Sequence, residues 1–233
     1  MIAVIGSPPR PKEGLRYEIK MVFEAQRLEE VRSWVLAHPA AFRAAFPPRQ
    51  VNNIYFDTPD RRLADGHIQG VARRAKLRFR WYGNTWVAPG GQMEVKIKDG
   101  QLSQKLIQPI TSRLNLSAQH WREIIHALRI ECPAKIARQF SYLSPALINR
   151  YQREYFVCAD GAVRLTLDYQ LRAYDQAFGF APNIRFPQPL LDNLIIEIKA
   201  PVEAHSQIAS TLAAFPLRVT NNSKYITGLA TAF

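Results

Sequence analysis

The segment AKLRFRW, residues 75–81, decides how the rest of the chain is read. In an extended backbone successive side chains point to opposite faces, so Lys76, Arg78 and Arg80 share one side and Leu77, Phe79 and Trp81 the other. One face is wholly cationic. Like charges in line repel, and a solvated strand ordinarily mixes signs, so three cations together point to a concave wall that meets a polyanion.

The same alternation recurs along the chain. Residues 15–23 set Arg16, Glu18 and Lys20 against Tyr17, Ile19 and Met21, while MEVKIK, residues 93–98, sets Glu94, Lys96 and Lys98 against Met93, Val95 and Ile97. LIIEIK, residues 194–199, sets Ile195, Glu197 and Lys199 against Leu194, Ile196 and Ile198. Strands at 151–157 and 163–173, joined by a turn at Asp160-Gly161, align Tyr151, Arg153 and Tyr155 on one face and Arg164, Thr166 and Asp168 on another. Residues 51–56 read as a further strand, closed by the turn residues Asp57-Thr58-Pro59-Asp60, and Gly83-Asn84 as a hairpin turn.

Between these strands lie helical patterns. Leu28, Val31, Trp34 and Val35 mark a helix ended by His38-Pro39, with His38 expected as a C-terminal capping cation. A short helix is expected over Phe42 to Phe46, broken by Pro47-Pro48. Ser117 is expected to cap a helix through Trp121, Ile124, Ile125 and Leu128, the stretch 134–147 to be partly helical, residues 202–215 to be helical, and Ser223 to cap a last helix.

At 233 residues, 47% hydrophobic and 21% charged, the chain has the makings of a single folded domain over 15–233, with residues 1–14 as a flexible leader. The net charge of +12 implies an anionic partner: nucleic acid, a phosphorylated small molecule, polyphosphate or an acidic membrane surface. Cys132 and Cys158 stand in unlike contexts without metal-ligand spacing, which points to structural thiols and a reducing, cytoplasmic setting. No window approaches a transmembrane span, and no glycine-rich phosphate loop or repeat is present.

A one-sided sheet exposing its charges to water would explain the alternation. It would not explain why three strands carry a carboxylate two residues from a lysine: Glu18-Lys20, Glu94-Lys96 and Glu197-Lys199. If the strands curl into a barrel, these groups converge on a shared wet interior, which is costly in desolvation unless their charges are compensated. Arginines and lysines neutralise phosphate oxygens, and carboxylates hold the divalent cation that bridges them. Glu18, Glu94, Asp168 and Glu197 beside the cations therefore favour metal-dependent phosphoryl transfer over simple polyanion binding.

The stretches IYFDTPD (54–60), KLRFRWYG (76–83), MEVKIK (93–98), NRYQREYF (149–156), IIEIK (195–199) and SKYITGL (223–229) together resemble the VTC domain of polyphosphate polymerases, within the CYTH or triphosphate tunnel metalloenzyme superfamily. The resemblance runs from about Leu15 to the C-terminus. It implies an α+β fold, an eight-stranded antiparallel β-barrel forming a triphosphate tunnel with flanking helices, and Mg²⁺ or Mn²⁺ as cofactor. It assigns Lys20, Arg78, Arg80, Lys96, Arg153 and Lys224 as phosphate-binding and catalytic cations and Glu197 as the metal carboxylate. Lys98, Arg164 and Lys199 follow as further substrate-binding positions, and Glu18 and Asp168 as further metal positions. Tyr225 and Ser223 are expected to position Lys224. Hydrolase branches of the superfamily begin with E-x-E-x-K, whereas Arg16 stands at the first glutamate here, and a cation there suits the VTC branch.

The leading expectation is a polyphosphate polymerase moving the terminal phosphoryl group of ATP onto a polyphosphate chain. A tunnel triphosphatase and a non-enzymatic polyanion-binding protein are the alternatives. Nucleoside triphosphate and polyphosphate are the expected partners and nucleic acid is not; a separate membrane partner and the oligomeric state are left open.

Overall fold

The computed structural model describes residues 16–99, 102–177, 179–215 and 223–229, so the expected leader lies outside the described residues. In chain order the elements are β1 (Arg16–Glu24), α1 (Leu28–Leu36), β2 (Arg43–Asp57), α2 (Arg62–Ile68), β3 (Arg73–Tyr82), β4 (Val87–Ala88), β5 (Gly91–Asp99), β6 (Leu102–Ile110) and β7 (Leu114–Asn115). There follow α3 (Trp121–Glu131), α4 (Ala134–Ala137), β8 (Ser144–Val157), β9 (Arg164–Asp175), β10 (Asn193–Pro201), α5 (His205–Ala213) and α6 (Lys224–Leu229).

Eight strands form one antiparallel sheet in the order β1, β10, β9, β8, β2, β3, β5, β6, and β4 pairs separately with β7. The eight antiparallel strands and flanking helices are as expected; the closed barrel is not. Among the described residues no backbone ladder joins β1 to β6, the two ends of the sheet. The sheet is nevertheless curled far enough that Lys96 Nζ on β5 reaches Glu18 Oε2 on β1 at 3.1 Å. Period-two alternation fixes which side faces inward, but closure also requires matched tilt and shear, which alternation does not encode.

The convex side is apolar and carries most of the helices. Leu77, Phe79 and Trp81 of β3 and Met93, Val95 and Ile97 of β5 bury against Trp121, Ile124 and Leu128 of α3 and Ile136 of α4. Met21 and Phe23 of β1, with Leu194, Ile196 and Ile198 of β10, bury against Val31 and Val35 of α1 and Ile208 of α5. Burying each such side chain contributes about 1.5–3 kcal/mol. These two cores hold the sheet in its curl and commit the ionic faces to the concave side.

Four local expectations are corrected. Residues 42–46 are not helical: β2 begins at Arg43 and pairs with β8, with register shifts between Ala44 and Phe46 and between Phe46 and Arg49. Pro47-Pro48, which cannot donate to a ladder, falls in those irregularities, so the strand tolerates it. The cap of α3 is His120, whose backbone N–H donates to Glu123 Oε2 at 2.7 Å, while Ser117 donates its N–H to Asn115. Gly83-Asn84 does not make a tight hairpin, because the chain from Gly83 to Gly90 makes an excursion that includes β4 before β5 returns against β3. His38 is buried beyond α1, bonded to the Thr211 carbonyl through Nε2 at 3.1 Å and accepting the Ala40 N–H at Nδ1, so it ties α1 to α5 rather than capping α1.

β6 was not anticipated; its sequence, LSQKLIQPI, alternates poorly and contains Pro109, yet it pairs along its whole length with β5. Cys132 and Cys158 are both free and buried, in keeping with structural thiols. No helix among the described residues is long and apolar enough to cross a membrane.

Candidate functional site

The concave face holds a cavity of about 160 Å³ lined by nine lysines and arginines and three glutamates. β1 supplies Glu18 and Lys20; β3 supplies Lys76, Arg78 and Arg80; β5 supplies Glu94 and Lys96; and β6 supplies Lys105. Arg153 comes from β8, Glu197 and Lys199 from β10, and Lys224 from α6. Cations outnumber carboxylates threefold, so the cavity itself is strongly positive, whatever the rest of the surface carries.

The arginines are held rigidly. Arg78 donates through Nε and Nη2 to Glu94 Oε2 at 2.9 and 2.6 Å and through Nη1 to the Tyr55 hydroxyl at 3.1 Å. Arg80 donates through Nε to Asn53 Oδ1 at 2.9 Å, and Asn53 is fixed in turn by Asn149. Arg153 grips Asp168 with two hydrogen bonds, of 2.5 and 2.6 Å, and approaches Glu197 at 3.4 Å. Paired in this way, each guanidinium is pre-oriented before any ligand arrives.

Every carboxylate at the site is ion-paired, with differing mixtures of arginines and lysines. Burial opposes ionisation of Glu94, yet Arg78, Arg80 and Lys105 outweigh it and hold its carboxyl at about 2. Asp168, fully buried, lies behind the lining; burial would raise it, but Arg153 and Lys224 outweigh that and keep it low. Glu18 and Glu197 are diagonal neighbours on the ionic face, because Glu18 pairs in register with Lys199 and Lys20 with Glu197. Lysines reach both: Lys20 and Lys96 contact Glu18 at 3.2 and 3.1 Å, and Lys199 contacts Glu197 at 2.7 Å. Burial works against the Glu197 carboxylate, but Lys199, Arg153 and Lys20 hold it well below the usual range.

α6 lies over the apolar end of the same concave face. Tyr225 stacks on Tyr55 with ring centroids 4.8 Å apart and donates its hydroxyl to Asp57 Oδ2 at 2.5 Å, and burial followed by Asp57 pushes that phenol up. Asp57 also accepts the backbone N–H groups of Thr58, Leu63 and Ala64, which makes the DTPD turn the cap of α2 as well as the anchor of α6. Gly228 lets the helix settle: a Cβ there would lie 2.6 Å from Leu147 Cδ2 and 3.0 Å from Ala173 Cβ. So anchored, α6 presents Ser223 and Lys224 to the cavity.

Of the site residues taken from the sequence, Glu18, Lys20, Arg78, Arg80, Lys96, Arg153, Glu197, Lys199 and Lys224 line the cavity together. Asp168 stands behind Arg153 and Lys224. Lys98 and Arg164 lie nearer the ends of their strands and are not in its lining. Six lining residues have no phosphate role in the sequence reading: Lys76, Glu94, Lys105, Tyr55, Tyr151 and Ser223. Lys76 and Glu94 share the faces of assigned residues and were legible by spacing. Lys105 was hidden with its strand.

The VTC domain family matches residues 15–233. No curated protein sequence matches the chain. Among solved structures, the chain is similar to a candidate adenylyl cyclase from Hippeastrum with a dominant triphosphatase activity, at a TM-score of 0.52 and 14% identity, over 93% of this chain and 96% of that one. It is similar to a candidate adenylate cyclase from Vibrio parahaemolyticus at 0.50 and 16%, over 92% and 98%, and to a Pyrococcus horikoshii protein at 0.50 and 13%, over 94% and 100%. At such identities these likenesses concern the fold, and it is the family match across nearly the whole chain that shows where it belongs: this is a VTC domain protein.

Proposed function

We propose that the chain is a phosphotransferase that seats the phosphates of a nucleoside triphosphate, ATP in the first instance, in the ionic cavity and passes the terminal phosphoryl group to a polyphosphate chain. The observation that carries this reading is the cavity's composition: nine cations against three glutamates, with three of the cations arginines already fixed by hydrogen bonds. Arg78, Arg80 and Arg153 would grip phosphate oxygens in set positions, and Lys20, Lys76, Lys96, Lys199 and Lys224 would follow the charge as it shifts. In the transfer the bond from the terminal phosphorus to its bridging oxygen breaks, a bond to the end oxygen of the chain forms, and the nucleoside diphosphate leaves. The attacking oxygen is already ionised, so no side chain has to remove a proton.

A divalent cation, Mg²⁺ or Mn²⁺, fits this donor set in a restricted way. Among the described residues no group of three or more His, Cys, Asp or Glu is gathered, and Glu94 and Asp168 are taken up by cations. Glu18 and Glu197, neighbours whose contacts include Lys20, Lys96 and Lys199, are the pair that would hold the ion once those lysines turn to phosphate, which suits one that draws its other ligands from phosphate and water. The chemistry it supplies there is neutralisation of phosphate charge.

The test is incubation with ATP and Mn²⁺, followed by resolution of phosphate chain lengths and of orthophosphate. Chain growth is expected, together with loss of about 10–100-fold in turnover in Glu197→Gln while nucleotide binding is kept. Orthophosphate without chain growth would support the triphosphatase reading instead. Unaltered turnover in Glu197→Gln would remove the carboxylate from the reaction.

A further inference from the structure

At one end of the cavity the wall changes from ionic to aromatic. Tyr82 lies two residues beyond Arg80 on β3, and Tyr155 two residues beyond Arg153 on β8, so each ring continues the ionic face of its strand. Arg49 on β2 pairs in register with Arg153, and Phe46 with Tyr155. The Arg49 guanidinium lies 5.1, 5.2 and 5.0 Å from the ring centroids of Phe46, Tyr82 and Tyr155, and Phe46 meets Tyr155 edge to face at 5.8 Å. Arg153 is the link to the cavity, since it lies over Tyr155 at 6.0 Å as well as lining the phosphate site.

This cluster covers no core. Phe46 is 56% and Tyr82 40% exposed, whereas the aromatic residues on the opposite face of β3, Phe79 and Trp81, are fully buried. Arg49 has no carboxylate in contact among the described residues, and its Nε is buried without a hydrogen-bond partner. An arginine held by three rings, two of them open to solvent, beside a phosphate-sized cationic cavity, is a surface made for a flat π system with an anionic tail.

We propose that Phe46, Tyr82 and Tyr155, braced by Arg49, form the stacking seat for the base of the nucleoside triphosphate. The inference rests on the phosphate reading of the cavity and adds to it which end of the ligand lies where. A two-residue step along a strand is about 7 Å, a gap that the ribose spans between a phosphate at Arg80 or Arg153 and a base at Tyr82. Rings offer a face to any base, so the seat selects nucleoside triphosphates over inorganic triphosphate and discriminates little between purines.

Calorimetric titration of the full chain with ATP, GTP and inorganic triphosphate tests the seat. Phe46→Ala and Tyr82→Ala, both at exposed rings, are expected to weaken ATP and GTP about tenfold each and to leave inorganic triphosphate within twofold of the parent chain. Tyr82→Phe, which keeps the ring, is expected to retain ATP affinity. Equal weakening of all three ligands, or no change in any, would overturn the seat while leaving the cavity reading intact. A parent chain that binds none of them would overturn the cavity reading, and the seat with it.

Discussion

Glu94 and Lys76 stand on adjacent paired strands of the same concave wall, and their neighbours treat them oppositely. Glu94 is ringed by Arg78 at 2.6 Å, Lys105 at 3.3 Å and Arg80 at 3.6 Å. Lys76 has Ser223 Oγ at 2.9 Å and no carboxylate in ion-pair contact among the described residues, while Lys20, Lys96 and Arg78 press on it. The first arrangement is complete without a ligand: a carboxylate buys the close approach of three cations. The second has no such contact, and only the Glu18 carboxylate, farther off, favours its charge. On the proposed phosphate reading, Glu94 holds Arg78 and Arg80 in place for the ligand, whereas Lys76 gains its counter-charge from the ligand itself.

The largest expected effect breaks the scaffold. Glu94→Gln leaves Arg78 and Arg80 near a neutral amide in a largely dry wall, and removing one partner of a buried charge group costs about 3–5 kcal/mol. A urea unfolding curve should show a correspondingly lower midpoint, and saturating inorganic triphosphate should recover part of it by supplying the missing negative charge. An unchanged midpoint would mean that Glu94 is recognition machinery after all and that the contrast with Lys76 is unfounded.

An intermediate effect is expected at the anchor that delivers Ser223 to Lys76. Asp57→Asn keeps the shape of the α2 cap but puts an NH2 in place of one oxygen, so either the Tyr225 hydroxyl and Ala64 N–H that share Oδ2, or the Thr58 and Leu63 N–H groups that share Oδ1, lose their acceptor. The cost should be about 1–3 kcal/mol in unfolding free energy, and Tyr225→Phe should cost less, because it removes the buried hydroxyl together with its need for a partner. Equal losses in the two variants would place the stabilisation in the Tyr225–Asp57 hydrogen bond itself rather than in the cap of α2.

What the sequence disclosed follows the same division. The ionic faces were readable because each strand's alternation is local, and Arg78, Lys96 and Glu197 were found from spacing and family motifs together. Closure was not readable, since the β1 to β6 seam depends on tilt and shear across eight strands. Nor was the pairing of charges: that Asp168 belongs to Arg153, and Glu94 to Arg78, Arg80 and Lys105, is decided by cross-strand register, and that Lys224 joins Asp168 by the docking of α6. Lys105 was invisible for a further reason, because Pro109 and a mixed pattern hid its strand, and only pairing with β5 reveals it.

The smallest expected effect sharpens the recognition side. Burial, followed by Lys20, Lys96 and Arg78, disfavours the charged form of Lys76 and brings its ammonium down to about 7. A phosphate oxyanion bound against it favours that charged form. Below pH 7 the proton is already in place and binding gains the full interaction; above pH 7 the ligand must bring a proton with it, so affinity falls as pH rises. Between pH 6 and 8 the loss should approach about tenfold. Inorganic triphosphate titrates in the same range, and the quantity to read is therefore the difference between the parent chain and Lys76→Met, with proton uptake measured by calorimetry in buffers of different ionisation enthalpy. Parallel pH profiles for the two chains would show that Lys76 carries its proton throughout, and that the cationic corner is compensated by something nearer than the ligand.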